Sequence, residues 1–321
     1  MTSVEESSSV VALREQEHHP EAPLGLLCGI AAYSCWGVIP LFFKLLKHLP
    51  PAFVLGERMV WSCVFFVALV MARGSVRELR QVICSRKTVL TLLVSALLVA
   101  TNWGTFIYAV TVDKVLESSL GYFIAPLVVV ALGVIVLHER FRKLQAVAIA
   151  LAAVGVTVMT LSHGHLPWIG LVLALTFGSY GLFRKTVKVE PVVGLCVETA
   201  LLTPIGVVMA AVMWRDAQPH VMGMRDWGLL VVSGPVTGVP LLLFTGAARR
   251  LRLSTIGLLQ YIGPVGQFAL AVFVYHEPFG AGKLAGFVLI WLALVLYSAD
   301  SVRAYRDHAR QMEVTTEPIP E

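Results

Sequence analysis

Charge is what this sequence has least of. Asp, Glu, Lys and Arg make up 14% of its 321 residues, against a hydrophobic share of 57% and a mean hydropathy of +0.78. A soluble domain carries about 25% charged residues, so the deficit excludes an ordinary water-soluble fold. The chain also lacks the signatures of several chemistries. The nearest approach to a GxxxxGK[ST] phosphate loop is "GAGKL" at Gly280–Leu284, which has neither the spacing nor the hydroxyl residue and excludes an ATP-driven pump. "HERFR" and "HEPFG" stop short of HExxH, which sets two imidazoles on one helix face. The "HGH" at His163–His165 and the pair His18-His19 have no acidic or cysteine cluster beside them, so neither a metal nor another cofactor is read. Five scattered cysteines (Cys28, Cys35, Cys63, Cys84, Cys196) form neither a disulfide framework nor a CxxC spacing; they read as small buried hydrophobes. Residues 1–23 lack the basic start and short apolar core of a secretory signal. Ser-rich and acidic, with Arg14 against Glu5, Glu6, Glu15, Glu17 and Glu21, they read as a disordered tail.

What is present is a series of long apolar runs, the pattern of membrane-spanning helices. Turn residues and charges cut it into ten segments. They lie near Leu24–Phe43, Ala52–Ala72, Thr88–Val112, Ser118–Leu137, Leu144–Leu161, Leu166–Phe183, Val192–Trp214, Trp227–Ala248, Ser254–Tyr275 and Phe279–Ala299. A span takes about 20 residues, which the chain length accommodates ten times. The expected fold is an all-α integral membrane protein.

Basic residues orient the segments, because Lys and Arg collect in cytoplasmic loops. Alternate connections and both tails hold Arg14; Arg73, Arg77, Arg80, Arg86 and Lys87; Arg140, Arg142 and Lys143; Arg184, Lys185 and Lys188; Arg249, Arg250 and Arg252; and Arg303, Arg306 and Arg310. The other connections hold Lys44, Lys47, Lys114, Arg215, Arg225 and Lys283, leaving Arg58 inside a span. This split of 18 to 6 among 25 basic residues predicts cytoplasmic termini and an even number of spans. It also assigns the net charge of +5 to anchoring at the inner leaflet of the cell membrane, not to nucleic acid.

One segment occurs twice. "GYFIAPLVVVALGVIVLHERF" (Gly121–Phe141) and "LQYIGPVGQFALAVFVYHEPF" (Leu259–Phe279) match at 9 of 21 positions, including Pro126/Pro264 and both His-Glu pairs. The first copy continues into Arg140, Arg142 and Lys143, the second into Pro278 and Gly280. They occupy the fourth and ninth spans and therefore run in opposite directions. "AAYSCWG" (Ala31–Gly37) echoes "LTFGSYG" (Leu175–Gly181) in the first and sixth spans. The expected organisation is a five-helix repeat over 24–161 and a second, inverted one over 166–300, with tails at 1–23 and 301–321. Transporters built this way place their site between the halves, near the midplane.

Ionisable groups inside spans point to function, because hydrocarbon penalises them. Glu57 and Arg58 stand in the second span and Glu198 in the seventh, and Arg58 is expected to approach Glu198 across a central cavity. The alternative is that Glu57 and Arg58 snorkel to the outer surface. Trp36, Asn102, Trp103, Tyr122, Tyr180, Gln260 and Tyr261 complete the candidate cavity, with Tyr33, Trp61, Tyr108 and Gln267 as further polar or aromatic groups within spans. Aromatic faces with hydroxyl or amide tips suit an uncharged or zwitterionic solute, or a delocalised cation. Glu139 and Glu277, at the ends of the repeated segment, are structural caps or gates of opposite mouths. Glu57, Glu139 and Glu277 are the gating or coupling candidates.

"NWGTFIYAV" (Asn102–Val110), "ESSLGYFIAPL" (Glu117–Leu127), "GVIVLHERF" (Gly133–Phe141), "YGLFRK" (Tyr180–Lys185) and "RLRLSTIGLLQYIGP" (Arg250–Pro264) resemble the RarD branch of the EamA-type permeases, within the drug/metabolite transporter superfamily. The resemblance runs from about Leu24 to Asp300. It implies ten helices in two inverted halves with cytoplasmic ends. One departure is Glu57 before Arg58, where the branch leads us to expect His; this acid would alter the cavity's charge. The expected function is a secondary transporter of small organic solutes in the lipid bilayer, with protons as candidate coupling ion. The alternatives are a membrane enzyme acting on lipid-linked substrates, which would need paired carboxylates at one face, and a non-transporting sensor or assembly partner, which would need longer tails.

Overall fold

A computed structural model describes residues 21–111, 115–139, 141–161, 168–217, 222–270 and, between 284 and 303, all but 287, 294, 298, 301 and 302. The described chain is helical throughout, with no strand among these residues. The helices are α1 (Ala22–Lys44), α2 (Pro51–Ala72), α3 (Val76–Cys84), α4 (Arg86–Thr111), α5 (Val115–Leu137), α6 (Lys143–Leu161), α7 (Trp168–Thr186), α8 (Pro191–Val212), α9 (Trp214–Ala217), α10 (Met224–Arg250), α11 (Leu253–Leu259) and α12 (Ile262–Ala269). A further apolar helix, α13, runs over Leu284–Tyr297.

For α1, α2, α4–α8 and α10 the ends fall within three residues of those expected from turn residues and charge. Local chemistry accounts for several ends. Pro51 and Pro191 open α2 and α8, where a missing N–H is harmless. Glu190 caps α8, its carboxylate accepting from the Val193 amide at 2.9 Å. The Ser85 hydroxyl does the same for α4, accepting from the Thr88 amide at 3.4 Å. His138 closes α5 in a left-handed conformation, φ 55°. Among the described residues, five helices are long and apolar enough to cross a membrane: α1, α2, α4 over Arg86–Phe106, α8 and α10. Their outward faces carry exposed large apolar side chains such as Leu27, Val64, Leu97, Val208 and Val232, a surface that suits lipid and not water.

Two expectations are corrected. The stretch after α2, read as a basic loop, holds the amphipathic helix α3. The ninth segment, expected as one span over Ser254–Tyr275, is broken at Gln260-Tyr261 into α11 and α12. Pro264 explains the break. It has no N–H for the Gln260 carbonyl four residues back, which accepts instead from the Gly263 amide at 3.3 Å.

The chain sorts into two compact units: a larger one from residues 1–138 and 167–277, and a smaller one from 139–166 and 278–321. The smaller unit contains α6 and α13. Gly155 lies against the Gly286 carbonyl there, and Arg142 donates to Asp300 at 2.8 Å.

In the larger unit the pairings interchange the two sequence halves. Helix α2 packs on α8; α1 packs on α10 as α7 does on α4; α1 packs on α12 as α7 does on α5. The α2–α8 crossing is backbone on backbone. A Cβ added at Gly56 would stand 2.6 Å from the Gly206 carbonyl, and one at Gly206 would stand 2.9 Å from the Gly56 carbonyl. Small residues are the means by which helices approach closely in lipid, where no hydrophobic drive joins them. Gly206→Leu is therefore expected to cost about 1–3 kcal/mol by overpacking. The loss should appear as a lowered unfolding temperature in detergent, whereas Val208→Leu on the exposed face should leave it unchanged.

Candidate functional site

A cavity of about 510 Å³ lies inside the larger unit. Both halves build it. Tyr33 and Trp36 come from α1, Arg58 from α2, Asn102, Trp103 and Phe106 from α4, and Tyr122 from α5. The second half supplies Phe177 from α7, Thr237 and Leu241 from α10, and Gln260, Gly263 and Pro264 from the α11–α12 junction. The repeated segment explains one pair. Tyr122 and Gln260 each stand four residues before the shared proline, and both reach the cavity.

The lining is mostly apolar with a few polar groups held in place, the usual make-up of a small-molecule site. Asn102 is pinned to α7 through its amide nitrogen, which donates to the Leu173 carbonyl at 2.9 Å and to the Thr176 hydroxyl at 3.0 Å. The Arg58 guanidinium lies 4.2 Å from the Trp103 ring centre and 5.3 Å from that of Phe43, within cation–π range. Tyr33 Oη, Thr237 Oγ1 and Gln260 Oε1 are buried without a hydrogen-bond partner.

One end of the cavity lies beside the α1–α2 connection, where Leu46, Lys47, Leu49 and Pro51 contribute and Lys47 is exposed. Elsewhere an aromatic layer backs it. Trp36 meets Phe177 edge-on at 5.5 Å, Phe177 meets Phe244 at 5.4 Å, and Phe244 stacks on Tyr180 at 5.9 Å with planes 17° apart. Behind that layer Tyr180 donates to Glu198 Oε2 at 3.3 Å, and Arg184 Nη1 donates to Glu198 Oε1 at 3.0 Å. The Arg184 and Glu198 side chains are 1% and 3% exposed. Gly194 makes room for them: a Cβ there would stand 2.8 Å from Arg184 Nη1.

A family model for EamA-like transporters matches residues 23–161 and again 167–299. The chain belongs to this family. Protein RarD of Salmonella typhi is 44% identical over 285 residues, covering 88% of this chain and 97% of its own. A protein of Vibrio cholerae serotype O1, named an uncharacterized transporter, is 42% identical over 288 residues, 88% of this chain and 95% of its own. A solved protein structure of 16% identity superposes with a TM-score of 0.66 over 87% of this chain and 99% of its own, which shows the shared fold. The protein is a RarD-type EamA permease, a multi-pass protein of the inner membrane.

In this EamA protein the expected cavity residues divide. Trp36, Arg58, Asn102, Trp103, Tyr122 and Gln260 line the cavity, and Tyr180, Glu198 and Tyr261 do not. The contact expected between Arg58 and Glu198 is replaced by Arg184–Glu198. Arg184, counted as a cytoplasmic loop charge, is the last turn of α7 turned inward, and its stem and fork fit the space over Gly194. The spacing held a signal: Tyr180 and Arg184 are four residues apart, on one helix face, and both reach Glu198. Arg58 does not snorkel outward, since it lies in the cavity wall. Glu57 does not add its charge there; it accepts from Trp61 Nε1 at 3.0 Å, one turn on along α2. Glu139 is buried in the smaller unit. Glu277 lies outside the described residues, as do both tails up to residue 20 and from 304. Phe43, Phe106 and Phe177 were indistinguishable in sequence from core phenylalanines, and Thr237 from any other hydroxyl in a span.

Removing one member of a buried pair strands the other, at about 3–5 kcal/mol. Arg184→Gln and Glu198→Gln are each expected to lose folded protein by that amount, and the double variant to lose less than their sum. Thermal unfolding of the four proteins in detergent measures the coupling.

Proposed function

We propose that this EamA protein is a secondary transporter that moves small organic solutes across the cell membrane by alternating access, without ATP. The observation that carries the reading is a cavity of ligand size walled by both halves of a repeated fold. In the proposed topology ten spans form two inverted five-helix halves with both termini in the cytoplasm, as the distribution of Lys and Arg suggests. The interchange of helix pairings between the halves supports a two-fold relation between them.

Within that topology the α1–α2 connection is external, so the cavity faces outward. Its inner gate is the Trp36–Phe177–Phe244–Tyr180 layer, which the Arg184–Glu198 pair fastens between α7 and α8. Ring contacts of this kind are worth about 0.5–1.5 kcal/mol each. A few of them match the few kcal/mol that separate interconverting states, so solute entering the cavity can shift the balance. No acid stands among the described residues of the cavity wall, so the coupling candidates we keep, Glu57 and Glu139, act from outside it.

The test is flux in proteoliposomes with a panel of organic metabolites, with and without a pH gradient. Saturable flux without nucleotide is expected. Phe244→Ala, which removes the ring at the centre of the layer, should raise passive leak of the transported solute. Intact, inserted protein that moves none of the panel would overturn the reading, and acceleration by the pH gradient would identify the coupling ion.

A further inference from the structure

Two arginines of the larger unit, Arg184 and Arg58, are treated differently. Arg184 has its counter-charge in Glu198. Arg58 has rings on its faces and, among the described residues, no carboxylate beside it; its Nε donates to nothing. The one acid next to it in sequence, Glu57, is turned to Trp61. Among the described residues lining the cavity there is no Asp or Glu, and the second cation there is Lys47 at the exposed end.

A half-buried guanidinium without an anion loses part of its hydration uncompensated. The faces of Trp103 and Phe43 offset part of that, but they occupy only the plane of the group. Its edge still offers parallel N–H donors whose spacing matches a carboxylate. The rest of the lining suits what a carboxylate would be attached to. Trp36 and Phe177 offer flat apolar surface, and Gln260 Oε1, Thr237 Oγ1 and Tyr33 Oη are buried polar atoms without partners. They are neutral, so they can meet a hydroxyl or N–H on the solute and cannot neutralise an ammonium.

We propose that the cavity is an organic-anion site, in which Arg58 binds the carboxylate of a solute whose apolar or aromatic body lies against Trp36, Trp103 and Phe177. The proposal rests on the transporter reading above and narrows its substrate class to organic monocarboxylates. It sets aside the delocalised cation suggested by the aromatic content alone. Arg58 already occupies the Trp103 face that such a cation would need, and it would repel the newcomer. Lys47 places further positive potential at the mouth, which draws anions in.

Three probes of one skeleton separate the charge states: 3-phenylpropionate, 3-phenylpropionamide and 3-phenylpropylamine. Calorimetric titration of each into the purified full-length protein in detergent is expected to rank carboxylate first. Its lead over the amide should be about tenfold or more, the worth of a charge-assisted hydrogen bond pair. Arg58→Gln should abolish that lead while binding the amide within about threefold of wild type, which also shows that the cavity remains formed. Arg58→Lys keeps the charge but not the flat fork, and should retain the order of preference with a smaller lead. If Arg58→Gln does not fold, Arg58→Lys and the wild-type ranking decide. Equal or tighter binding of the amide or amine, no binding of the carboxylate at millimolar concentration, or an undiminished preference in Arg58→Gln overturns the proposal. Flux of the same probes in proteoliposomes keeps the two readings apart. Carboxylate binding without flux of any solute overturns the transporter and leaves the anion site standing. Flux without carboxylate preference does the reverse.

Discussion

Arg184 and Glu198 bring opposite charges together at 3.0 Å where neither meets solvent. Each alone would be costly in that setting, and together with the Tyr180 hydroxyl they satisfy one another. The pair ties α7 to α8 and seats Tyr180, on which Phe244 stacks and against which the rest of the aromatic layer is built. The closed side of the cavity therefore rests on one ion pair. A layer of rings alone would slide with little penalty, whereas a layer fastened to a buried pair is held in one arrangement.

The contrast with Arg58 organises the rest. Both arginines lie within helices of the larger unit, yet Arg184 is neutralised and Arg58 is not. The difference comes from where the acids point. Glu198 turns towards α7, and Glu57 folds back along its own helix to Trp61. Among its described residues the cavity is left with Arg58, Lys47 and neutral polar atoms, a bias that composition could not reveal because the charges read inside the spans are two acids, Glu57 and Glu198, and one base, Arg58.

Helix placement was legible because lipid demands it. A span must satisfy its own backbone and present apolar side chains, so long runs such as Pro51–Ala72 can hardly be anything else. The exceptions had local causes that a hydropathy reading passes over. Pro264 removes one N–H and splits α11 from α12. Helix α3 is amphipathic, and its arginines made it resemble a loop. Of the site, the polar and aromatic members were visible as misfits in apolar text: Arg58, Asn102, Trp103, Tyr122 and Gln260 all reach the cavity. Phe43, Phe106 and Phe177 were not, since a phenylalanine in a span is ordinary whether it faces a cavity, a neighbour or lipid.

By itself the sequence determined that the chain crosses a membrane, that it is built from a repeated half, and which polar groups the bilayer would force inward. These follow from periodicity, charge and the penalty for polar groups in hydrocarbon, all of which act locally along the chain. Only the tertiary structure decided which charges meet. Arg184 lies at a helix end and reads as a loop charge until α8 lies beside it with Gly194 leaving room for the guanidinium. Ion pairing is set by distances between elements far apart in sequence, and no local pattern records them.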